Sequence, residues 1–264
     1  MDELKLDHIV NFVKSDPSEI IDYWRNFNLK GIRGGSHGDW GTYNSLIYFG
    51  LSYIEFLSVQ CNKTAKRSDN PLIKHLVENL RKYEGLGQIC FRTTDIHSLK
   101  KNIEMKGYTA SEIYKGERIR SDGLTIRWKM LFVFSPTGLP YPFFIEWEQS
   151  DHDRREEFKK QGVWTDEQEK ASINAIHYVV HDFLRTAEDW ANLLNVQVNL
   201  PKTENLNQPG QAAIMVGRTE IIFCNANENA TLKNIYKRKG ERPFLISFNP
   251  PLTEPITFMR DTYV

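Results

Sequence analysis

The sequence predicts an α+β protein assembled from repeats of one β-α-β-β-β unit. Three observations predict it. Segments of period two and of helical period alternate in that order twice, and a third, degenerate copy follows. Glycine, proline and asparagine stand where the turns between those segments fall. A short aromatic strand in each of the first two copies carries one carboxylate, in Tyr53-Ile54-Glu55-Phe56 and in Phe144-Ile145-Glu146-Trp147.

Residues 6–13 form the first strand. Leu6, His8, Val10 and Phe12 share one face and Ile9 and Val13 the other, so the strand is apolar on both faces and buried, with His8 inside. Asp16-Pro17-Ser18-Glu19 starts a helix: Asp16 caps, Pro17 fits the first turn and Glu19 completes a capping box. Ile20, Ile21, Trp24 and Phe27 give that helix its apolar side. A strand near 29–33 leads into the Gly-rich stretch Gly34-Gly35-Ser36-His37-Gly38-Asp39-Trp40-Gly41, whose backbone can bend sharply or pass close to a ligand. Strands at 43–49 and 53–59 follow, joined by a turn at Gly50. In the second of them Tyr53, Glu55, Leu57 and Val59 share a face, so Glu55 sits among apolar neighbours and must be paired, bind a metal or shift its pKa.

Asn70-Pro71 opens a connecting helix with Leu72, Leu76, Leu80 and Tyr83 on one side. The order then repeats: a strand at 87–93, a helix from Asp95 to a Gly107 stop, and strands near 111–115, 124–134 and 142–147. Leu6-Asp7-His8-Ile9 overlays Leu86-Gly87-Gln88-Ile89, and Glu55 overlays Glu146. Residues 149–170 are strongly charged and read as a surface linker or short helix. The third copy has a strand at 172–180, a helix capped by Thr186, and strands near 211–216, 220–224 and 243–248. Its His177 falls on His8 and its Ile222 on Glu55, so it lacks the carboxylate and is expected to be structural or dimer-forming.

The 264 residues suffice for one large domain or two smaller ones, and 40% hydrophobic content suits a packed core. Formal net charge is zero, which gives no steering toward nucleic acid or an anionic membrane. Three scattered cysteines make neither a disulfide framework nor a C-x-x-C motif. No apolar run approaches the roughly 20 residues of a membrane span, and Met-Asp-Glu-Leu-Lys is not a secretory start, so the expected location is cytoplasmic. There is no G-x-x-x-x-G-K-S/T and no G-x-S-x-G.

The pattern G-G-x-H, G-T-x-N, F-G-x-x-Y-I-E, from Gly34 to Glu55, resembles the glyoxalase-like domain of the vicinal-oxygen-chelate superfamily. Arg118-Ile119-Arg120-Ser121-Asp122-Gly123-Leu124-Thr125-Ile126-Arg127-Trp128, followed by Pro142-Phe143-Phe144-Ile145-Glu146-Trp147, resembles the second half of that signature. The resemblance implies a glyoxalase-like domain over 1–165, with units at about 4–62 and 85–150 forming a cupped mixed sheet, and a third unit over 166–264. It implies that His8 and Glu55 from the first unit, and Gln88 and Glu146 from the second, point into the cup as ligands for Ni²⁺, Zn²⁺, Mn²⁺ or Mg²⁺, unless no metal is used. A small vicinal-oxygen substrate would be chelated there, with Glu146 or Glu55 moving a proton and Glu146 preferred. His37, Trp40, Thr42, Asn44, Arg120, Arg127 and Trp147 would line the mouth and hold the ligand. The expected activity is that of a metal-dependent glyoxalase or lyase. The alternative is a binder that sequesters a small molecule in the same cup; a homodimer through the third unit is a further expectation. Structural readings stay open beside these: His8 as a satisfied core histidine, and Glu55 and Glu146 paired with Arg33, Arg120 or Arg127.

Overall fold

A computed structural model describes residues 3–119, 125–136, 138–200 and 210–264. The first unit runs β1 (Lys5–Phe12), α1 (Pro17–Arg25), β2 (Gly31–His37), β3 (Thr42–Phe49) and β4 (Ser52–Val59). Asp16 caps α1, accepting from Ser18 N at 2.8 Å, and the helix buries Ile20, Ile21 and Trp24. Two connecting helices, α2 (Asn62–Ala65) and α3 (Pro71–Leu80), precede the second unit of β5 (Gly85–Arg92), α4 (Ile96–Met105), β6 (Tyr114–Ile119), β7 (Thr125–Leu131) and β8 (Phe143–Trp147). The two units share one eight-stranded sheet in the order β2-β3-β4-β1-β5-β8-β7-β6. The sheet curls until its edges meet, where Arg118 of β6 donates to the Gly34 carbonyl of β2.

The charged stretch after β8 is two helices rather than a linker: α5 (Asp151–Gln161) and α6 (Asp166–Lys170). They are tied down by buried groups. Gln168 donates to the Lys30 and Tyr48 carbonyls at 3.1 and 3.0 Å, and Arg154 is 3% exposed. One buried polar residue per helix does not stand out in a run of charges, so composition alone gives a solvated face.

The rest of the chain makes β9 (Ser172–Val180), α7 (Phe183–Leu194), β10 (Val198–Asn199), β11 (Gln211–Val216), β12 (Thr219–Asn225), α8 (Ala230–Lys239), β13 (Arg242–Asn249), β14 (Ile256–Phe258) and β15 (Asp261–Tyr263). Its sheet order among the described residues, β10-β11-β12-β9-β13-β15-β14, repeats that of the first sheet without a counterpart of β6. The third unit is therefore complete, closed by the two-residue β10, which is too short to show in the periodicity. The strand expected near 243–248 opens a fourth unit, reduced to β13, β14 and β15. The helix of the third unit is capped by Asp182 rather than Thr186. The pairing of His177 with Ile222 and of Val179 with Cys224 puts Cys224, not Ile222, at the place of Glu55.

One large core joins the two sheets on the faces away from their hollows. It runs from Ile9, Trp24, Ile54 and Ile89 to Ile176, Trp190, Phe223 and Tyr263. In the hollow of the first sheet, α3 packs Leu72, Ile73 and Leu76 against Val10, Phe12 and Leu57. In the second, α8 packs Leu232 over Ala175, Val179 and Ile222. No helix among the described residues is long and apolar enough to cross a membrane.

Candidate functional site

The Gly-rich stretch builds one wall of the first hollow. A Cβ on Gly34 would collide with the Asn44 side-chain oxygen, so glycine there makes room for Asn44. Gly41 sits at φ +64°, and a Cβ on it would lie 2.7 Å from the Cys61 carbonyl. That turn brings His37 and Trp40 over the sheet, with the His37 Nδ1 3.1 Å from the Thr42 hydroxyl.

A buried polar line crosses the strands at this wall. Asn44 donates to Glu55 Oε1 at 2.6 Å, and Glu55 Oε2 stands 3.5 Å from His8 Nε2. His8 Nδ1 lies 2.8 Å from Asp7 Oδ1. Asp7 Oδ2 takes the Trp147 indole N–H at 2.8 Å and faces Arg154 Nη1 at 3.5 Å. Burial alone would raise the Asp7 carboxyl. The hydrogen bond to His8 and the charges of Arg154, His8 and Arg92 outweigh it and hold Asp7 well below the usual carboxylate range. An ionised Asp7 only accepts, so His8 carries its proton on Nδ1 and presents Nε2 to Glu55. The imidazole is stacked on Tyr53 at 4.6 Å and edge-on to Phe143 at 5.4 Å. Burial lowers His37; Glu55 acts against that and Arg118 with it.

A cavity of about 60 Å³ lies at the end of this line. His8, His37, Asn44, Glu55, Arg118 and the rings of Trp40, Trp128 and Trp147 are among its walls. The Asn44 side-chain oxygen is buried against Gly34 without a hydrogen-bond partner. Trp128 and Trp147, 5.6 Å apart between ring centroids, also border an outer groove of about 1000 Å³ that carries Arg127, Lys129 and Glu146.

The structure thus brings together His8, Glu55, His37, Trp40, Asn44 and Trp147, with Thr42 buried behind His37. Three expectations are corrected. Glu146 lies on the opposite face of β8: it takes the Ile96 N–H at 2.7 Å, at the start of α4, and Lys129 Nζ at 2.6 Å. Gln88 is turned to the Tyr141 carbonyl at 2.7 Å and to His75 Nδ1 at 3.2 Å. Arg127 is exposed and ion-paired with Glu117 and Glu148 on the outer groove. Arg120 lies outside the described residues. The strand register explains the first correction. Ile9 pairs with Ile89, so the repeat carries His8 to Gln88 and Val10 to Cys90. Glu55 lies beside Val10 and Phe143 beside Cys90, so the counterpart of Glu55 is Phe143, an apolar ring.

A divalent metal asks for three or four converging donors. Among the described residues no three His, Cys, Asp or Glu side chains are grouped to hold one, and His8 Nε2 and Glu55 Oε2 lie 3.5 Å apart in the hollow. The four-ligand set implied by the resemblance does not fit this arrangement.

Four contributors escape a reading of the sequence. Asp7 is skipped by the pairing of β1 with β5, which steps from Leu6 to His8. Strand alternation would place Asp7 away from His8, and only the bulge makes it a partner. Arg118, Trp128 and Arg154 are the others. The first two lie in the quoted motif block, the one sequence signal that could have found them; Arg154 carries none.

The family model described as a glyoxalase-like domain matches residues 6–194. No curated protein matches the chain. Among solved structures, a hypothetical protein from Staphylococcus aureus superposes with a TM-score of 0.79 at 20% identity, covering 98% of each chain. A mutant of 4-hydroxymandelate synthase from Streptomyces coelicolor superposes with a TM-score of 0.60 at 9% identity, covering 94% of this chain and 71% of that one. At these identities the likeness is one of fold.

Proposed function

This chain belongs to the glyoxalase-like domain family, and we propose that its first hollow is the site of a lyase or isomerase acting on a small oxygenated molecule. The observation that carries the proposal is the buried Asp7–His8–Glu55 line ending at a small cavity.

In this reading Glu55 takes a proton from the carbon beside a carbonyl. His8, oriented by Asp7, takes at Nε2 the proton of the hydroxyl on that carbon; Glu55 then returns its proton to the former carbonyl carbon and His8 returns its own to the former carbonyl oxygen. Such positioned acid–base groups contribute on the order of 10²–10⁴ in rate. The Arg118 guanidinium borders the same cavity and supplies positive charge where an enolate oxygen develops. The ring walls of Trp40, Trp128 and Trp147 exclude water.

A second reading is a binder that holds the molecule without turning it over, and the three tryptophans favour it. One experiment separates the two. Small 2-oxoaldehyde adducts and related vicinal-oxygen compounds are screened for binding, and hits are incubated in deuterated water. Deuterium incorporated beside the carbonyl by the wild type and lost in Glu55→Gln supports the enzyme. Binding without exchange supports the binder. Binding that survives both Glu55→Gln and Trp147→Ala removes this hollow as the site.

A further inference from the structure

We propose that His37 is a further catalytic residue of the first hollow, its Nε2–H donating a hydrogen bond to the substrate carbonyl oxygen, with Thr42 as the positioning residue that fixes this proton. The role presupposes the lyase or isomerase chemistry of that hollow. It adds a neutral donor for the oxygen on which negative charge develops, beside the acid–base pair of His8 and Glu55.

Backbone pairing sets the geometry. His37 ends β2 and Thr42 opens β3, and the two are paired directly across the strands. His37 Nδ1 stands 3.1 Å from the Thr42 hydroxyl. Thr42 is fully buried, and among the described residues its hydroxyl has no other partner. A buried hydroxyl hydrogen left without an acceptor is costly, so Thr42 donates and Nδ1 accepts. Burial lowers the His37 pKa; Glu55 opposes this and Arg118 adds to it, so the ring is neutral at pH 7. A neutral imidazole that accepts at Nδ1 carries its proton on Nε2. His8 has the opposite tautomer, with its proton on Nδ1 and a bare Nε2.

His37 borders the same small cavity as His8, Glu55 and Arg118. It is half-buried, and its Nε2, which has no hydrogen-bond partner among the described residues, is not sealed off as the Asn44 oxygen is. The ring is held by Trp40 at 5.6 Å and Trp128 at 6.3 Å between centroids. The hydrogen bond from Thr42 polarises the imidazole and strengthens Nε2–H as a donor. The two tautomers divide the work. The bare Nε2 of His8 takes and returns a proton, whereas Nε2–H of His37 gives a hydrogen bond and keeps its proton throughout.

The test uses the full chain with isotope-labelled histidine, freed of metal by chelator, at pH 7. Proton–nitrogen correlation spectra report each tautomer, and the His37 signals are those lost in His37→Phe and His37→Gln. Nε2–H at His37 and Nδ1–H at His8 are expected, and Thr42→Val should turn His37, but not His8, into a mixture of tautomers. The probe is glycolohydroxamate, a neutral mimic of a two-carbon enediolate, with glycolamide as the control for the ground state. Glycolohydroxamate should bind the more tightly and shift the His37 Nε2 signal. His37→Phe should weaken it about tenfold or more and glycolamide less than about twofold, and His37→Gln, which keeps an N–H, should recover part of the loss. An Nδ1–H tautomer at His37 in the wild type, or unchanged glycolohydroxamate affinity in His37→Phe, would overturn the role of His37 and leave the hollow as the site. If His37→Phe does not fold, Thr42→Val decides, and an unchanged tautomer there would overturn the role. No binding of glycolohydroxamate to the wild type would remove the chemistry of the hollow, and this role with it.

Discussion

His8 Nε2 stands 3.5 Å from Glu55 Oε2, on parallel neighbouring strands, with the imidazole held from behind by Asp7. The pair is buried, and its register is set by backbone hydrogen bonds on both sides of β1. Several consequences can be measured.

The two glutamates should behave oppositely. Glu55→Gln should abolish turnover, or lose ligand affinity, while the fold survives. Glu146→Gln should leave the hollow working and lower stability by about 1 kcal/mol, because it weakens a helix-start contact and a half-exposed Lys129 pair. Urea unfolding beside a ligand titration checks both. Loss of function in Glu146→Gln with the fold intact would restore the role first expected of it.

Trp147→Phe keeps a ring in the wall but leaves Asp7 without its indole donor. The expected cost is about 1.5–3 kcal/mol, the range for hydrogen bonds to a charged group. Arg154→Met removes the cation facing Asp7 and the stacking on Trp147 at 4.5 Å, and should cost about 3 kcal/mol. The double variant should fall short of the sum, since both act on one carboxylate. Denaturant midpoints of the three variants test this.

Acidification should destabilise the fold in two windows. Burial lowers His75 and His177 to about 4, against 6.5 unfolded. The unfolded chain then binds protons first as pH falls below 6.5, so their stability is lost between 6.5 and about 4. Asp7, held low in the fold, adds stability that is lost further down, as pH falls below the ordinary carboxylate value of 3.8. Urea midpoints at pH 7, 5 and 4 should fall monotonically, and His177→Phe should flatten the first window.

Gly41→Ala should be more damaging than Gly50→Ala. Both have positive φ, near +64° and +60°. At Gly41 the added carbon would also press on the Cys61 carbonyl, Thr64 and the Ala65 nitrogen, all closer than 3.0 Å, whereas at Gly50 the nearest atom is 3.5 Å away. About 1 kcal/mol for Gly50 and at least twice that for Gly41 are expected, read from thermal melts.

The first unit was legible because its signals are local. Strand alternation puts His8 and Glu55 inside, and the glycines mark where His37, Trp40 and Asn44 cross over them. The second unit misled for an equally physical reason. Phe-Ile-Glu-Trp looks like Tyr-Ile-Glu-Phe, but β8 is set against β5 in a register that gives Phe143 the place of Glu55. Similar letters do not reveal a register that the hydrogen-bond ladder decides. Arg154 was hidden because a buried arginine on a charged helix looks like its exposed neighbours. The two-residue β10 was hidden by its length, and with it the completeness of the third unit.

In the proposed site His8 and Glu55 act as a pair without a four-ligand metal centre. Elemental analysis of chelator-free protein, wild type beside Glu55→Ala, tests this most directly. The prediction is trace divalent metal in both, with no specific uptake when Ni²⁺, Zn²⁺, Mn²⁺ or Mg²⁺ is added. Near-stoichiometric metal in the wild type that vanishes in Glu55→Ala would contradict it.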